Sequence, residues 1–100
     1  MPRLIDSRLN DRIDALEARY GRARLVREIG AAVLRMRLTS RLLQSELGEK
    51  VRTSQASISK LERGATALPH WDALEIIANN LRWEVVLNPG PKPVQVRKRR

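Results

Sequence analysis

Residues 44–64 of the chain read QSELGEKVRTSQASISKLERG and place two short helical patterns with almost no room between them. Leu43, Leu47 and Val51 recur at i, i+4 and i+8, and Ile58 and Leu61 follow at i, i+3. The second pattern opens with Thr53-Ser54-Gln55-Ala56. A short helix that begins with hydroxyls and an amide, and is held by another helix, suits the reading of base edges in a DNA groove.

The flanking segments are helical too. Leu9, Ile13, Leu16 and Tyr20 recur at +4, +3 and +4, with Asp6 or Ser7 as the N-cap and Gly21 as the stop. This amphipathic stripe must be buried, either on its own domain or on another chain. Leu25, Val26, Ile29, Val33 and Leu34 carry a second helical pattern to about Leu38, and Gly21 is expected to break or kink the chain between the two. Pro69 and His70 precede Trp71, Leu74, Ile77, Ala78 and Leu81, again at helical spacing.

The period then changes. Trp83-Glu84-Val85-Val86-Leu87 alternates as a strand, with Trp83, Val85 and Leu87 on one face, and Asn88-Pro89-Gly90-Pro91 stops it. A single strand leaves its backbone groups without a ladder. Pairing with the same strand of a second copy is the simplest remedy, which makes Trp83, Val85 and Leu87 the expected dimer interface. The alternative is a hairpin with Val94-Gln95-Val96, against which Pro91 and Pro93 count. Residues 89–100 are then expected to form a basic, disordered tail.

Composition removes several classes of function. The chain has 100 residues and no Cys, so disulfides and thiolate metal sites are excluded, and no cofactor or metal is expected. No apolar run approaches a membrane span or a secretory leader, so no membrane partner is expected and a cytoplasmic, nucleoid-associated protein is the plain reading. With one His and no Gly-rich phosphate loop, no nucleophile–base pair is recognisable, and an enzyme is the least favoured class. A formal charge of +9 favours polyanions. It is concentrated at Lys92, Arg97, Lys98, Arg99 and Arg100, where no acid intervenes.

Helical geometry sorts the residues of the 54–62 segment. If Ile58 and Leu61 point inward, then Ala56, Ser59, Lys60 and Arg63 lie opposite, with Gln55 and Ser57 on the flanks. Gln55 can bond adenine at N6 and N7, Ala56 admits close approach to a thymine methyl, and Lys60 reaches guanine or phosphate. Gln55, Ala56, Ser59 and Lys60 are therefore the candidate base readers. Arg52, Thr53, Ser54, Ser57 and Arg63 are candidate phosphate contacts, although Ser54 also suits a helix N-cap.

The same segment resembles the helix-turn-helix of the Cro/repressor (XRE) family, whose pattern runs roughly LTQxELAxxxGxSQxxISxxExG. Leu42, Gln44, Glu46, Leu47, Ser54, Gln55, Ile58, Ser59, Glu62 and Gly64 fall in one gapless frame with it. The resemblance extends over about Val26 to Leu87. It implies a lambda-repressor-like fold, and it places Gln44 beside the DNA phosphates, where a helix N-terminus offers free N–H groups. Three positions depart from the pattern by carrying Arg for Gly: Arg41, Arg52 and Arg82, all at expected helix ends where glycine takes a left-handed conformation. Leu43 replaces the usual Thr cap and Gly48 the usual Ala.

The expected fold class is all-α: a five-helix, lambda-repressor-like helix-turn-helix domain with an extra N-terminal helix and one C-terminal strand pairing across a dimer. Its parts are an amphipathic helix at 1–24, the DNA-binding domain at 25–82, a dimerisation strand at 83–88 and the tail at 89–100. A helix-turn-helix followed directly by a strand is most similar to HigA- and HipB-type antitoxins. That resemblance implies a homodimeric repressor of an inverted-repeat operator in double-stranded DNA, with a toxin protein as partner and the N-terminal helix as a toxin-binding or dimer-supporting element. The alternatives are a solitary prophage-type repressor and a protein-interaction module that no longer binds DNA.

Overall fold

Gly21 divides the N-terminal half of the chain into two helices. Its φ of 81° lies in the left-handed region, which a residue without Cβ enters at no steric cost. Helix α1 (Ser7–Tyr20) ends before it and α2 (Arg22–Thr39) begins after it, so the expected break is present. The computed structural model describes residues 7–100, with side chains from residue 11 onward. The cap expected at Asp6 or Ser7 and the side chain of Leu9 lie outside the described residues.

Helix α1 folds back on its own domain. Ile13 and Leu16 are buried in the core, and four hydrogen bonds fasten the helix and its hinge. Trp71 Nε1 donates to Glu17 Oε2 at 3.1 Å. The Tyr20 hydroxyl donates to the Gly90 carbonyl at 2.8 Å and accepts from the Gly90 N–H. Just past Gly21, Arg24 Nη2 donates to the Pro91 carbonyl at 2.7 Å. The described part of the N-terminal stripe is thus covered within the chain. Of the two expected ways of burying it, packing on its own domain is the one seen for the described residues.

Three further helices follow: α3 (Gln44–Lys50), α4 (Gln55–Glu62) and α5 (Trp71–Leu81). Helix α2 is the central rod. Its Leu25, Ile29, Val33 and Met36 join Leu47, Ile58, Leu61, Leu74 and Ile77 in one apolar core. Two glycines set the spacing. A Cβ on Gly30 would stand 2.6 Å from the Leu61 carbonyl oxygen, so α2 and α4 meet at backbone distance. A Cβ on Gly48 would stand 2.7 Å from the Thr53 carbonyl oxygen, while the Thr53 N–H donates to the Gly48 carbonyl at 2.8 Å. The turn between α3 and α4 therefore has no room for the Ala usual in the resembling pattern.

Arg41, Arg52 and Arg82 adopt φ of 57°, 60° and 64°. The left-handed conformation expected where the family carries Gly is kept, although each Cβ is crowded by it at a cost of ~1–2 kcal/mol.

The C-terminal region departs most from expectation. Strand β1 (Trp83–Leu87) pairs antiparallel with β2 (Val94–Lys98) of the same chain, Val85 opposite Val96. Among the described residues the strand is therefore not alone, and residues 94–98 are not a disordered tail. Pro91 and Pro93 do not prevent the hairpin because they lie in its connection, outside the ladder. Proline lacks only the donor: the Asn88 N–H donates to the Pro93 carbonyl at 3.1 Å, and Pro93 itself is buried. Trp83, Leu87, Val94 and Val96 all enter the core. The side chains of Trp83 and Leu87 thus stabilise their own domain and are not free for a dimer contact; Val85 is half-buried.

Among the described residues no strand pairs with the other edge of β1, where the Leu87 carbonyl accepts from Arg12 Nη1 at 3.5 Å. Residue pairs 82/99 and 88/93 are hydrogen-bonded, so by alternation 84/97 and 86/95 face each other through N–H and C=O groups. Those groups of Val85 point outward, away from β2.

Two stability measurements follow. Removing residues 89–100 deletes Val94 and Val96 and uncovers Trp83 and Leu87, so urea unfolding should register a loss of at least about 3 kcal/mol at ~1.5 kcal/mol or more per buried side chain. A tail without structure would give no change. Arg82→Gly should raise stability by about 1 kcal/mol by relieving the left-handed strain.

Candidate nucleic-acid interface

Helix α4 is built to stand at the surface by its two ends. Ser54 is its N-cap: the Ser54 hydroxyl oxygen accepts from the Ser57 N–H at 3.1 Å and donates to Ser57 Oγ at 2.9 Å. At the other end the Gly64 N–H reaches the Leu61 carbonyl, and Gly64 takes φ 66°. Ile58 and Leu61 are buried, as their spacing requires. The remaining face is open. Gln55, Ala56, Lys60 and Arg63 are exposed, and Ser59 is half-buried.

Helix α3 begins without the usual side-chain cap. Leu43 has no acceptor to offer, but Glu46 Oε1 accepts the Leu43 N–H at 2.8 Å, so one half of a capping box survives. Arg52, Thr53, Ser54 and Ser57, the other candidate phosphate contacts, are all exposed around the start of α4. Arg63 Nε leans on Ser59 Oγ at 3.3 Å.

A polar relay joins the two helices beneath this surface. Arg37 of α2 donates from Nε to Glu62 Oε2 at 2.6 Å and from Nη2 to Glu62 Oε1 at 3.1 Å. Its Nη1 donates to the Leu42 carbonyl at 2.8 Å. Gln44 Nε2 donates to Glu62 Oε1 at 2.9 Å, and Gln55 Nε2 donates to Gln44 Oε1 at 2.7 Å. On α4, Gln55, Ser59 and Glu62 follow at i, i+4 and i+7, so Glu62 and Gln55 lie along one stripe facing α3.

The relay is anchored in the interior. The side chains of Arg37 and Glu62 are only 12% and 5% exposed. The hydrogen bonds and charge of Glu62 push the Arg37 guanidinium above its ordinary pKa range, against the opposing effect of burial.

Sequence reasoning placed Gln55, Ala56, Ser59 and Lys60 on one surface, and the structure brings them together there. It assigned Gln44 to phosphate, whereas the Gln44 side chain is turned inward between Glu62 and Gln55. Sequence reasoning did not pair Glu62 with Arg37. The available signal was a charged residue near the end of an otherwise apolar helix stripe, 25 positions before a carboxylate on the motif's inner side. Lys60 borders a cleft of about 420 Å³ between α4 and α5, on the flank of α4 away from Gln44.

Glu62→Ala should cost ~3–5 kcal/mol in urea unfolding, because it strands a buried guanidinium. The paired change Arg37→Met with Glu62→Leu should cost less than Glu62→Ala alone, since it removes the unpaired charge.

A family model described as a helix-turn-helix domain matches residues 28–85, more than half of the chain. No curated protein and no solved structure matches the chain. The match begins within α2, takes in α3, α4 and α5, and ends inside β1, so the relay from Arg37 to Gln55 lies wholly within it. The surface carrying Gln55 and Lys60 lies within the matched residues, and the chain belongs to the helix-turn-helix domain family.

Proposed function

We propose that this protein is a sequence-specific DNA-binding transcriptional repressor that acts as a homodimer on an inverted repeat. The observation that carries the reading is the exposed face of α4, on which Gln55, Ala56, Ser59 and Lys60 stand together with Gln55 held in place from below. Gln55 bonds adenine, Ala56 leaves room for a thymine methyl, and Lys60 takes guanine or phosphate. Arg52, Thr53 and Arg63, with the first N–H groups of α3 at Gln44, grip the backbone on either side. The surplus of basic residues strengthens that grip without adding sequence preference.

The dimer reading is supported by size and by the edge of β1 away from β2. The molecule measures 33 × 31 × 28 Å, so two copies side by side would set their α4 helices about one DNA turn apart, ~34 Å. The outward N–H and C=O groups of Val85 offer β1 to the same strand of a second copy through backbone alone. In that arrangement Trp83 and Leu87 stay in their own cores.

An antitoxin role, with repression of its own operon and neutralisation of a toxin, is the narrower form of this proposal. It rests on the resemblance alone, because the N-terminal stripe and the strand first linked with it are both occupied within this chain. A solitary repressor is therefore the second reading, and co-purification of a neighbouring gene product would decide between them.

Gel shifts with DNA from upstream of the protein's own gene test the central claim. Wild type should prefer one duplex, and Gln55→Ala should lose ~1–3 kcal/mol of discrimination at one base pair; equal, weak binding to every duplex by both proteins would refute it. Affinity should fall steeply and log-linearly with salt. Val85→Pro, which removes an outward N–H that β2 does not use, should give a folded monomer in sedimentation; an intact dimer would overturn the strand-edge contact.

A further inference from the structure

We infer that the cleft between α4 and α5 is a binding site for a small apolar amine, and that the bound amine tightens the protein's hold on DNA. The site stands by itself; its effect on DNA rests on the role proposed for α4. The cleft holds about 420 Å³, within the size range of small-molecule sites. Val51, Ile58, Ala73, Ile76 and Ile77 line it. Ile76 is 49% exposed, although it is a large apolar side chain on the wall of this cleft. An apolar guest would cover it and be stabilised by that burial.

The polar groups select the charge of the guest. Asp72, in the first turn of α5, lines the cleft and is half-buried. Its Oδ1 is shut off from solvent, and no protein group donates to it. Among the described residues no ion pair offsets its charge. A carboxylate that loses hydration without gaining a partner is under-compensated. An ammonium group restores the balance by charge and hydrogen bond together. The basic residues along the cleft, Lys60 and His70, are both exposed to water. An anionic guest would meet Asp72 as a like charge. A partly dried carboxylate beside an apolar wall is the complement of an alkyl amine.

Thr53 and Lys60 border the same cleft, and both belong to the surface proposed to face DNA. A cation seated against Asp72 cancels a negative charge on the flank of that surface. Phosphates then approach a more positive flank, so amine and duplex each favour binding of the other.

NMR titration of the full chain with isopentylamine, isopentyl alcohol and isocaproate tests the site. The amine should saturate, with amide shifts gathered at Val51, Ser57, Ala73 and Ile77, and bind ~10-fold or more tightly than the alcohol or the acid. Asp72→Asn keeps the shape and removes the charge, and should weaken amine binding ~10-fold or more. Ala73→Met fills the cleft, leaves Asp72 in place and should abolish it; if Asp72→Asn does not fold, Ala73→Met decides alone. In gel shifts, saturating amine should raise the DNA affinity of wild type by about 3-fold and leave that of Ala73→Met unchanged. No amine binding, equal binding of the three probes, or an unchanged wild-type DNA affinity with amine bound overturns the inference and leaves the repressor reading standing. A monomer in sedimentation from Ile76→Ser, against a wild-type dimer, gives the cleft to a second copy and overturns it too. A wild type that takes up the amine but binds no duplex overturns the repressor reading and leaves the amine site standing.

Discussion

The bidentate contact between Arg37 and Glu62 ties together α2, α3 and α4, which carry the candidate surface. Arg37 lies near the end of α2, its third donor holds the Leu42 carbonyl at the entry to α3, and Glu62 closes α4. The contact costs desolvation of two charges, and its contribution depends on the geometry being complete. Here all three directions of the guanidinium fork are used, and Gln44 supplies a further donor to the carboxylate. The contact thus reaches the surface: the carboxylate that joins the helices also accepts from Gln44, whose Oε1 accepts from the exposed Gln55.

Close backbone approach is the second constraint. Gly30 lets α2 and α4 meet at the Leu61 carbonyl, and Gly48 lets the turn fold onto Thr53. Both determine where α4 lies relative to the rest of the domain, and an error of an ångström in that placement would misalign its face with a groove. The left-handed Arg52 belongs to the same turn. It accepts a conformational penalty that glycine would avoid, and sets an exposed cation beside the start of α4.

Much of this was readable from the chain, and the reasons for the rest are physical. The helices followed from apolar periodicity, and the left-handed Arg41, Arg52 and Arg82 followed from aligning a motif whose helix ends demand positive φ. Gln55, Ala56 and Lys60 were placed outward by angle alone, once Ile58 and Leu61 fixed the inward direction. The partner of β1 was misjudged because prolines were weighed as ladder residues, when in the structure they form the connection. Its segment, Val94-Gln95-Val96-Arg97-Lys98, also carries enough charge at its end to read as a solvated arm. The relay was invisible for another reason: a contact between residues 25 apart depends on the packing of two helices, and helical spacing reports only on neighbours within one.

The hairpin has a bearing on how the molecule holds together. Trp83, Leu87, Val94 and Val96 share one core with the helices, and the connection between the strands holds Tyr20 and Arg24 by its carbonyls. The N-terminal helices and the hairpin thus close on each other, and neither packs fully without partners from the far side of the fold.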